Sequence, residues 1–198
     1  MNDFPAKKHM TKAAINELPM RSYDGPIHLF NTEAEADEAA GKLLKETLLG
    51  FDTETRPAFR KGESYDPSLL QLATGSDVYL FQIQQCGLTP NLIKVLSSPN
   101  IVKAGVAIER DVAELQAMEP FPPAGFVELA TPAKSAGIKN LGLRGLTAIL
   151  FSFRISKKEQ VSNWARQELT KSQQTYAATD AWLGRKIYLT FREHGFVA

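Results

Sequence analysis

Short apolar runs in the first half of the chain predict β-strands at 26–30, 47–55, 69–73 and 78–83. Each run is shorter than a typical helix, and polar or turn residues bound it. Residues 74–77, Thr-Gly-Ser-Asp, join the last two runs by a predicted turn. Three strands in direct succession between 47 and 83 are typical of an antiparallel meander.

Strands and helices alternate in the second half, which indicates a parallel portion of the sheet. Strands are predicted at 101–105 and 126–129, and helices at 91–96, 109–118 and 141–150. An earlier helix is expected from a cap at Asn31 or Thr32 to about Glu46. A last long helix is expected from Thr170, which forms a capping-box pattern with Gln173, to about residue 195. The pattern therefore predicts an α/β fold.

Composition fits one globular domain. The chain has 198 residues, of which 43% are hydrophobic and 23% are charged. Such a chain buries one sizeable core and is short for two. We expect a loosely packed N-terminal arm over residues 1–25 and a single domain over residues 26–198.

Charge and cysteine usage exclude some classes of protein. The net charge of +1 gives no overall positive field, so a nucleic-acid partner would need local basic patches. Cys86 is the single cysteine, and the three histidines share no zinc-site spacing. No apolar run approaches the roughly 20 residues of a membrane span, and no secretory signal is recognisable. We expect an intracellular protein without a membrane partner, cytoplasmic if the source is bacterial.

Two acidic residues end the most apolar predicted strand. Asp52 and Glu54 are two positions apart and so lie on one face of it. Acids at the end of a central strand lower the stability of the fold, so a function would explain why they are there. The simple alternative is that they lie at a solvated strand edge.

Other candidates lie at or within predicted helices. Asp111 lies at the start of one, where a carboxylate also stabilises the helix dipole, and Glu109 and Glu114 compete with it for any role. Tyr176 and Asp180 are four positions apart and share a helix face, as a hydrogen-bonded packing pair also would. If the fold gathers the four aspartate and glutamate side chains, their repulsion raises their pKa values or recruits a cation.

Three motifs together resemble a known family. They are Phe-Asp-Thr-Glu-Thr at 51–55, Gly-Val-Ala-Ile-Glu-Arg-Asp at 105–111 and Tyr-Ala-Ala-Thr-Asp-Ala at 176–181. In this order they resemble the DEDD 3′–5′ exonucleases. The tyrosine four positions before the last aspartate resembles the pattern of the DEDDy branch, which includes ribonuclease D and the exonuclease domain of Werner syndrome helicase. The resemblance runs from about residue 26 to 189 and includes the segments 68–73, 125–129 and 162–164.

The resemblance implies a ribonuclease H-like fold, a five-stranded mixed sheet with helices on both faces. It also implies that Asp52, Glu54, Asp111 and Asp180 hold two Mg²⁺ or Mn²⁺ ions and that Tyr176 orients the attacking water. The implied reaction is two-metal hydrolysis from the 3′ end of a nucleic acid, with release of nucleoside 5′-monophosphates.

Substrate contacts are expected outside the acids. Thr53 and Glu54 are candidates for the sugar of the terminal nucleotide, and Phe59 for stacking on its base. Basic loop residues are candidates for phosphates, although such residues are commonly only solvated: Arg56, Arg60, Lys61, Arg154, Lys157 and Lys158. Trp164 is expected to be a packing residue.

Two alternatives stay open beside the exonuclease. One is a catalytically inactive nucleic-acid-binding or scaffold protein with the same fold, against which the intact acids argue. The other is an enzyme acting on small nucleotides or oligoribonucleotides, like the histidine-bearing branch, which the tyrosine at 176 disfavours. The choice between DNA and RNA, and the oligomeric state, are open.

Overall fold

The computed structural model describes residues 4–60 and 62–197. Lys61, residues 1–3 of the expected arm and residue 198 of the expected domain lie outside the described residues. The strands and helices of the described chain are, in order, α1 (Lys12–Asn16), β1 (Ile27–Phe30), α2 (Glu33–Leu43), β2 (Leu48–Thr55), β3 (Pro67–Ala73), β4 (Val78–Phe81), α3 (Ile83–Cys86), α4 (Pro90–Ser97), β5 (Val102–Gly105), α5 (Glu109–Met118), β6 (Phe126–Glu128), α6 (Ala130–Ser135), α7 (Leu143–Phe151) and α8 (Lys171–Glu193).

The strands form one mixed sheet in the order β1-β4-β3-β2-β5-β6. The predicted meander is confirmed, since β2, β3 and β4 pair in antiparallel fashion. β5 runs parallel to β2 and to β6, and β1 runs parallel to β4. The implied count of five strands is wrong, because the edge segments β1 and β6 both pair through their main chains and bring the sheet to six.

Two predicted boundaries shift for local reasons. The run 78–83 leaves the sheet after Phe81, and Gln82 turns its side-chain amide to the carbonyls of Arg166 and Gln167. The helix expected to reach residue 46 ends at Leu43. The predicted capping box of α8 is confirmed, since Thr170 and Gln173 bond reciprocally.

Helix α8 lies directly on the sheet centre because glycines remove the side chains between them. A Cβ built on Gly50 in β2 would lie 1.8 Å from the carbonyl oxygen of Ala181, and one on Gly184 would lie 2.5 Å from that of Ala104. Helices α2, α4 and α5 pack with the sheet's other face around Phe51. The close approach of α8 to β2 places the start of α8 beside the acidic end of β2.

The N-terminal arm packs closely, so the expectation of loose packing is wrong for its described residues. Met10 and Ile15 are buried in a cluster with Phe153. The backbone N–H of Arg21 donates to the carbonyl of Arg154, and the N–H of Arg154 donates to the carbonyl of Pro19, both at 2.9 Å. The arm buries apolar surface next to α7. The division into an arm and a domain after residue 25 stays a prediction.

Candidate active site

Three carboxylates converge where β2 meets α8. Asp52 and Glu54 project from the face of β2 that carries Gly50, toward α8. Asp180 lies in the third turn of α8 and is buried, 7% exposed. One carboxylate oxygen from each of the three lies within 4.8 Å of the others. The predicted gathering of these acids is therefore present in the fold.

Asp111 stands beside this cluster, in the first turn of α5. Its Oδ1 accepts a hydrogen bond of 2.5 Å from the Thr53 hydroxyl, which ties α5 to β2. Of its two competitors, Glu109 is exposed and Glu114 pairs with Arg110 at 2.6 Å. The structure thus separates Asp111 from the other acids of α5.

The cluster is electrostatically unfavourable when it is fully ionised. Burial, together with repulsion from Asp180 and Asp111, raises the pKa of Asp52 well above its usual range. Burial, together with repulsion from Asp52, Asp180 and Asp111, raises the pKa of Glu54 well above its usual range. Burial raises the pKa of Asp180 to about 7, although a hydrogen bond from the Tyr176 hydroxyl acts in the opposite direction. Burial raises the pKa of Asp111, against the hydrogen bond from Thr53.

Such a donor set fits a divalent cation. The ligand atoms are carboxylate oxygens, which suit Mg²⁺ and Mn²⁺, whereas zinc prefers nitrogen and sulfur. The cluster contains no histidine or cysteine. A cation of charge two placed among the oxygens would offset the repulsion that raises the pKa values. The acidic cluster is compatible with metal binding.

Tyr176 adjoins the carboxylates from one turn earlier in α8. Its hydroxyl donates to Asp180, and its ring lies 5.9 Å from that of the buried Trp164. The expected packing role of Trp164 is confirmed. Burial and the charges of Asp180 and Glu54 raise the pKa of Tyr176, so its hydroxyl keeps its proton at neutral pH.

A cleft of about 720 Å³ opens over the cluster. Thr53 and Lys157, both predicted from the sequence, line it together with the acids of β2 and α8. Another wall of the cleft, which was not predicted, comes from the segment at 140–145. In this segment the Arg144 guanidinium donates a hydrogen bond of 2.6 Å to the side-chain oxygen of Asn16. No sequence signal marks this wall, because its position depends on contacts between distant segments.

The other predicted substrate residues lie outside the cleft lining. The Arg56 guanidinium lies 4.6 Å from the centre of the Tyr65 ring, in the loop between β2 and β3, and Phe59 in the same loop is 80% exposed. Arg60 and Lys158 are exposed. The side chain of Arg154 donates to the carbonyl of Leu18 at 3.0 Å and so points to the arm.

Gln71 is a neighbour of the site that sequence reasoning missed. It pairs with Asp52 across β2 and β3, and directly opposed residues of an antiparallel pair share a face. The side chain is fully buried, and both its amide atoms are without a hydrogen-bond partner among the described residues. It is a buried, unsatisfied amide next to the acidic cluster.

No helix in the described parts of the chain combines the length and the apolar character that a bilayer crossing requires.

Comparisons with known proteins agree with this geometry. The chain is 31% identical over 184 residues to the mouse bifunctional 3′–5′ exonuclease/ATP-dependent helicase WRN, a match that covers 87% of this chain and 13% of WRN. The crystal structure of the Aedes aegypti Nibbler EXO domain matches with a TM-score of 0.77 at 24% identity, over 88% of this chain and 91% of that one. Escherichia coli RNase D matches with a TM-score of 0.75 at 19% identity, over 86% and 46%.

These structural matches confirm the expected ribonuclease H-like fold. The chain spans 13%, 40% and 27% of the lengths of three curated relatives that it matches. A family model described as 3′–5′ exonuclease matches residues 27–195, which include the four clustered or adjoining acids and Tyr176. The chain therefore belongs to the 3′–5′ exonuclease family.

Proposed function

We propose that the protein is a metal-dependent 3′–5′ exonuclease of the DEDDy branch, which removes nucleoside 5′-monophosphates from the 3′ end of a nucleic acid. The observation that carries this proposal is the convergence of Asp52, Glu54 and Asp180 within 4.8 Å, with Tyr176 bonded to Asp180. Membership of the exonuclease family supports the same reaction. The intact cluster is the reason for preferring catalysis to the inactive scaffold.

The carboxylates are assigned as ligands of two divalent ions, Mg²⁺ or Mn²⁺. Asp52, Glu54 and Asp180 would hold one ion, and Asp111 with Asp52 would hold the other. When bound, such ions supply charge stabilisation to the phosphate and lower the pKa of coordinated water. The protein's own contribution is to hold four acids together at an electrostatic cost that protonation or a bound cation offsets.

Tyr176 is assigned to hold the attacking water. Because its pKa is raised, the phenol is a hydrogen-bond donor and not a general base at neutral pH. Its bond to Asp180 fixes the hydroxyl at the edge of the acidic cluster. With its proton donated to Asp180, the phenol oxygen would accept a hydrogen bond from a water molecule and orient it without taking its proton.

Substrate contacts are assigned to both sides of the acids. Thr53 and Lys157 line the cleft, which supports assigning them to the terminal nucleotide. Arg56 and Lys158 are exposed outside the cleft lining and would contact phosphates, and the exposed Phe59 would stack on the terminal base. Arg154 would act indirectly, because its side chain holds the arm.

The test is degradation of a 5′-labelled oligonucleotide with Mg²⁺, with Mn²⁺ or with EDTA. Asp52→Ala is expected to abolish activity, and Tyr176→Phe to lower it while metal still binds, as followed by thermal stabilisation with Mn²⁺. Glu109→Ala is the matched control, since it removes an exposed acid two residues from Asp111 and is expected to keep full activity. Metal-independent digestion by Asp52→Ala would overturn the proposal.

A further inference from the structure

A second cavity, which we call the arm lobe, adjoins the catalytic cleft. Its volume is about 430 Å³, in the range of small-ligand pockets, which is on the order of 300–1,000 Å³. It shares Ile155, Ser156, Tyr176 and Asp180 with the cleft, so the two cavities meet at the candidate catalytic residues. Its remaining walls come from residues 20–22 of the arm and from the first turns of α8.

The wall formed by the arm is fixed to the body of the protein. The backbone N–H of Tyr23 donates to the Thr179 hydroxyl at 3.0 Å, and the Tyr23 hydroxyl donates to the Ser76 carbonyl at 2.7 Å. Arg21 is bonded through its backbone to Arg154 at 2.9 Å. The family model begins at residue 27, so this wall lies outside the matched region. The arm therefore adds one wall to a cavity whose other lining residues belong to the matched nuclease region.

The lining of the arm lobe suits a sugar–phosphate backbone. Arg21 and Lys171 line it, and neither has an ion-pair partner among the residues that the structure describes. Two acids line it as well: Asp180, and Glu159, which accepts a hydrogen bond of 2.7 Å from the Ser172 hydroxyl. The hydroxyl groups of Ser22 and Thr175 also line it, whereas those of Ser172 and Thr179 already donate to Glu159 and to the Thr175 carbonyl. Unpaired cations with hydroxyls are the usual protein contacts of phosphate and sugar.

We propose that the arm lobe binds the nucleic-acid backbone beyond the scissile nucleotide, with Arg21 and Lys171 contacting its phosphates. This inference rests on the proposed exonuclease function. A strand whose 3′ end lies at Asp52 and Asp180 has to leave the cleft, and the arm lobe, a mainly apolar cavity that Arg21 and Lys171 also line, adjoins the cleft directly. The arm then contributes to affinity for the polymer and not to the chemistry.

Arg21→Ala and Lys171→Ala test the proposal on three substrates with Mg²⁺. The substrates are a short single-stranded oligonucleotide, the same strand recessed in a duplex, and the p-nitrophenyl ester of thymidine 5′-monophosphate, which has no backbone beyond one nucleotide. Each variant is expected to raise KM for the oligonucleotide about fivefold at physiological salt and to reduce the salt slope of kcat/KM by about 0.7. Turnover of the ester is expected to be unchanged. Arg192→Ala, which removes an exposed cation from the far end of α8, is the control and is expected to behave like the wild type.

The two polymer substrates separate the two possible strands. A loss on both supports the inference, because the cleaved strand is common to both. A loss on the duplex alone would overturn it, because the complementary strand would then occupy the arm lobe. Kinetics equal to those of Arg192→Ala on both polymers, or an equal loss on the ester, would overturn the inference. Fluorescence anisotropy of a labelled oligonucleotide with Ca²⁺ measures binding without turnover. It tests the inference even if the wild type cleaves no substrate, and such a lack of cleavage would refute only the proposed function.

Discussion

The acidic cluster predicts that Asp180→Asn stabilises the metal-free protein while it removes activity. Burial raises the pKa of Asp180 from an ordinary value of about 4 to about 7 in the folded protein. The folded state therefore holds this proton more tightly than the unfolded state. The stability that results is fully present below pH 4 and is lost as the pH rises through 7. Asparagine has the same shape and no charge, so it avoids that loss.

The magnitude follows from the two pKa values. Relative to low pH, the difference between these two pKa values lowers the free energy of unfolding of the wild type by about 1 kcal/mol at pH 5 and about 4 kcal/mol at pH 8. Removal of the charge also relieves the repulsion on Asp52 and Glu54, which acts in the same direction. Without metal, the free energy of unfolding of the variant should therefore exceed that of the wild type by an amount that grows with pH.

Urea unfolding in EDTA at pH 5, 6, 7 and 8 measures this difference. Glu109→Gln is the control, because this acid is exposed and outside the cluster, and it should show no such trend. Mn²⁺ at one hundred times the dissociation constant should stabilise the wild type by about 3 kcal/mol. That gain should reverse the order at pH 5 and narrow the difference at pH 8. Equal stability of the variant and the wild type from pH 5 to 8 would refute the electrostatic reasoning.

Three further substitutions test how the fold supports the site. Gly50→Ala places a Cβ 1.8 Å from the Ala181 carbonyl oxygen. It should lower the free energy of unfolding in urea by about 1–3 kcal/mol and lower activity, because α8 must move away from β2. Gly142→Ala, with open space around it, is the stability control. Ala107→Gly should stabilise the protein by about 1 kcal/mol, because Ala107 has a left-handed φ of 62°; unchanged or lower stability would contradict the cost assigned to that conformation. Gln71→Met removes two unpartnered buried atoms and should raise the free energy of unfolding by about 1–3 kcal/mol, whereas a fall would indicate that the amide is satisfied in solution.

Local signals in the sequence were sufficient for the elements that carry the site. The apolar run before Asp52 predicted the central strand β2, and the capping box at Thr170 predicted the start of α8. Both depend on neighbours within a few positions, so a sequence reveals them directly. The resemblance to the exonuclease motifs then linked Asp52 and Glu54 of β2 with Asp180 of α8. The fold brings these three carboxylates together.

Contacts between distant segments were not predictable in this way. The sequence suggested Arg154 as a phosphate contact, but its side chain donates a hydrogen bond to the carbonyl of Leu18, 136 positions earlier in the chain. Gln71 acquires its place beside Asp52 only through strand register. The arm has a polar, proline-containing sequence, yet Met10 and Ile15 are buried against the rest of the protein. In each case the fold creates the partner, and no short-range pattern encodes it.

The most direct test of the central claim is the identity and order of the products from a 5′-labelled single strand. The proposed function predicts a ladder that shortens stepwise from the 3′ end and releases nucleoside 5′-monophosphates, only with Mg²⁺ or Mn²⁺ and not with Asp180→Asn. Internal fragments, nucleoside 3′-monophosphates or an unchanged ladder from Asp180→Asn would contradict it.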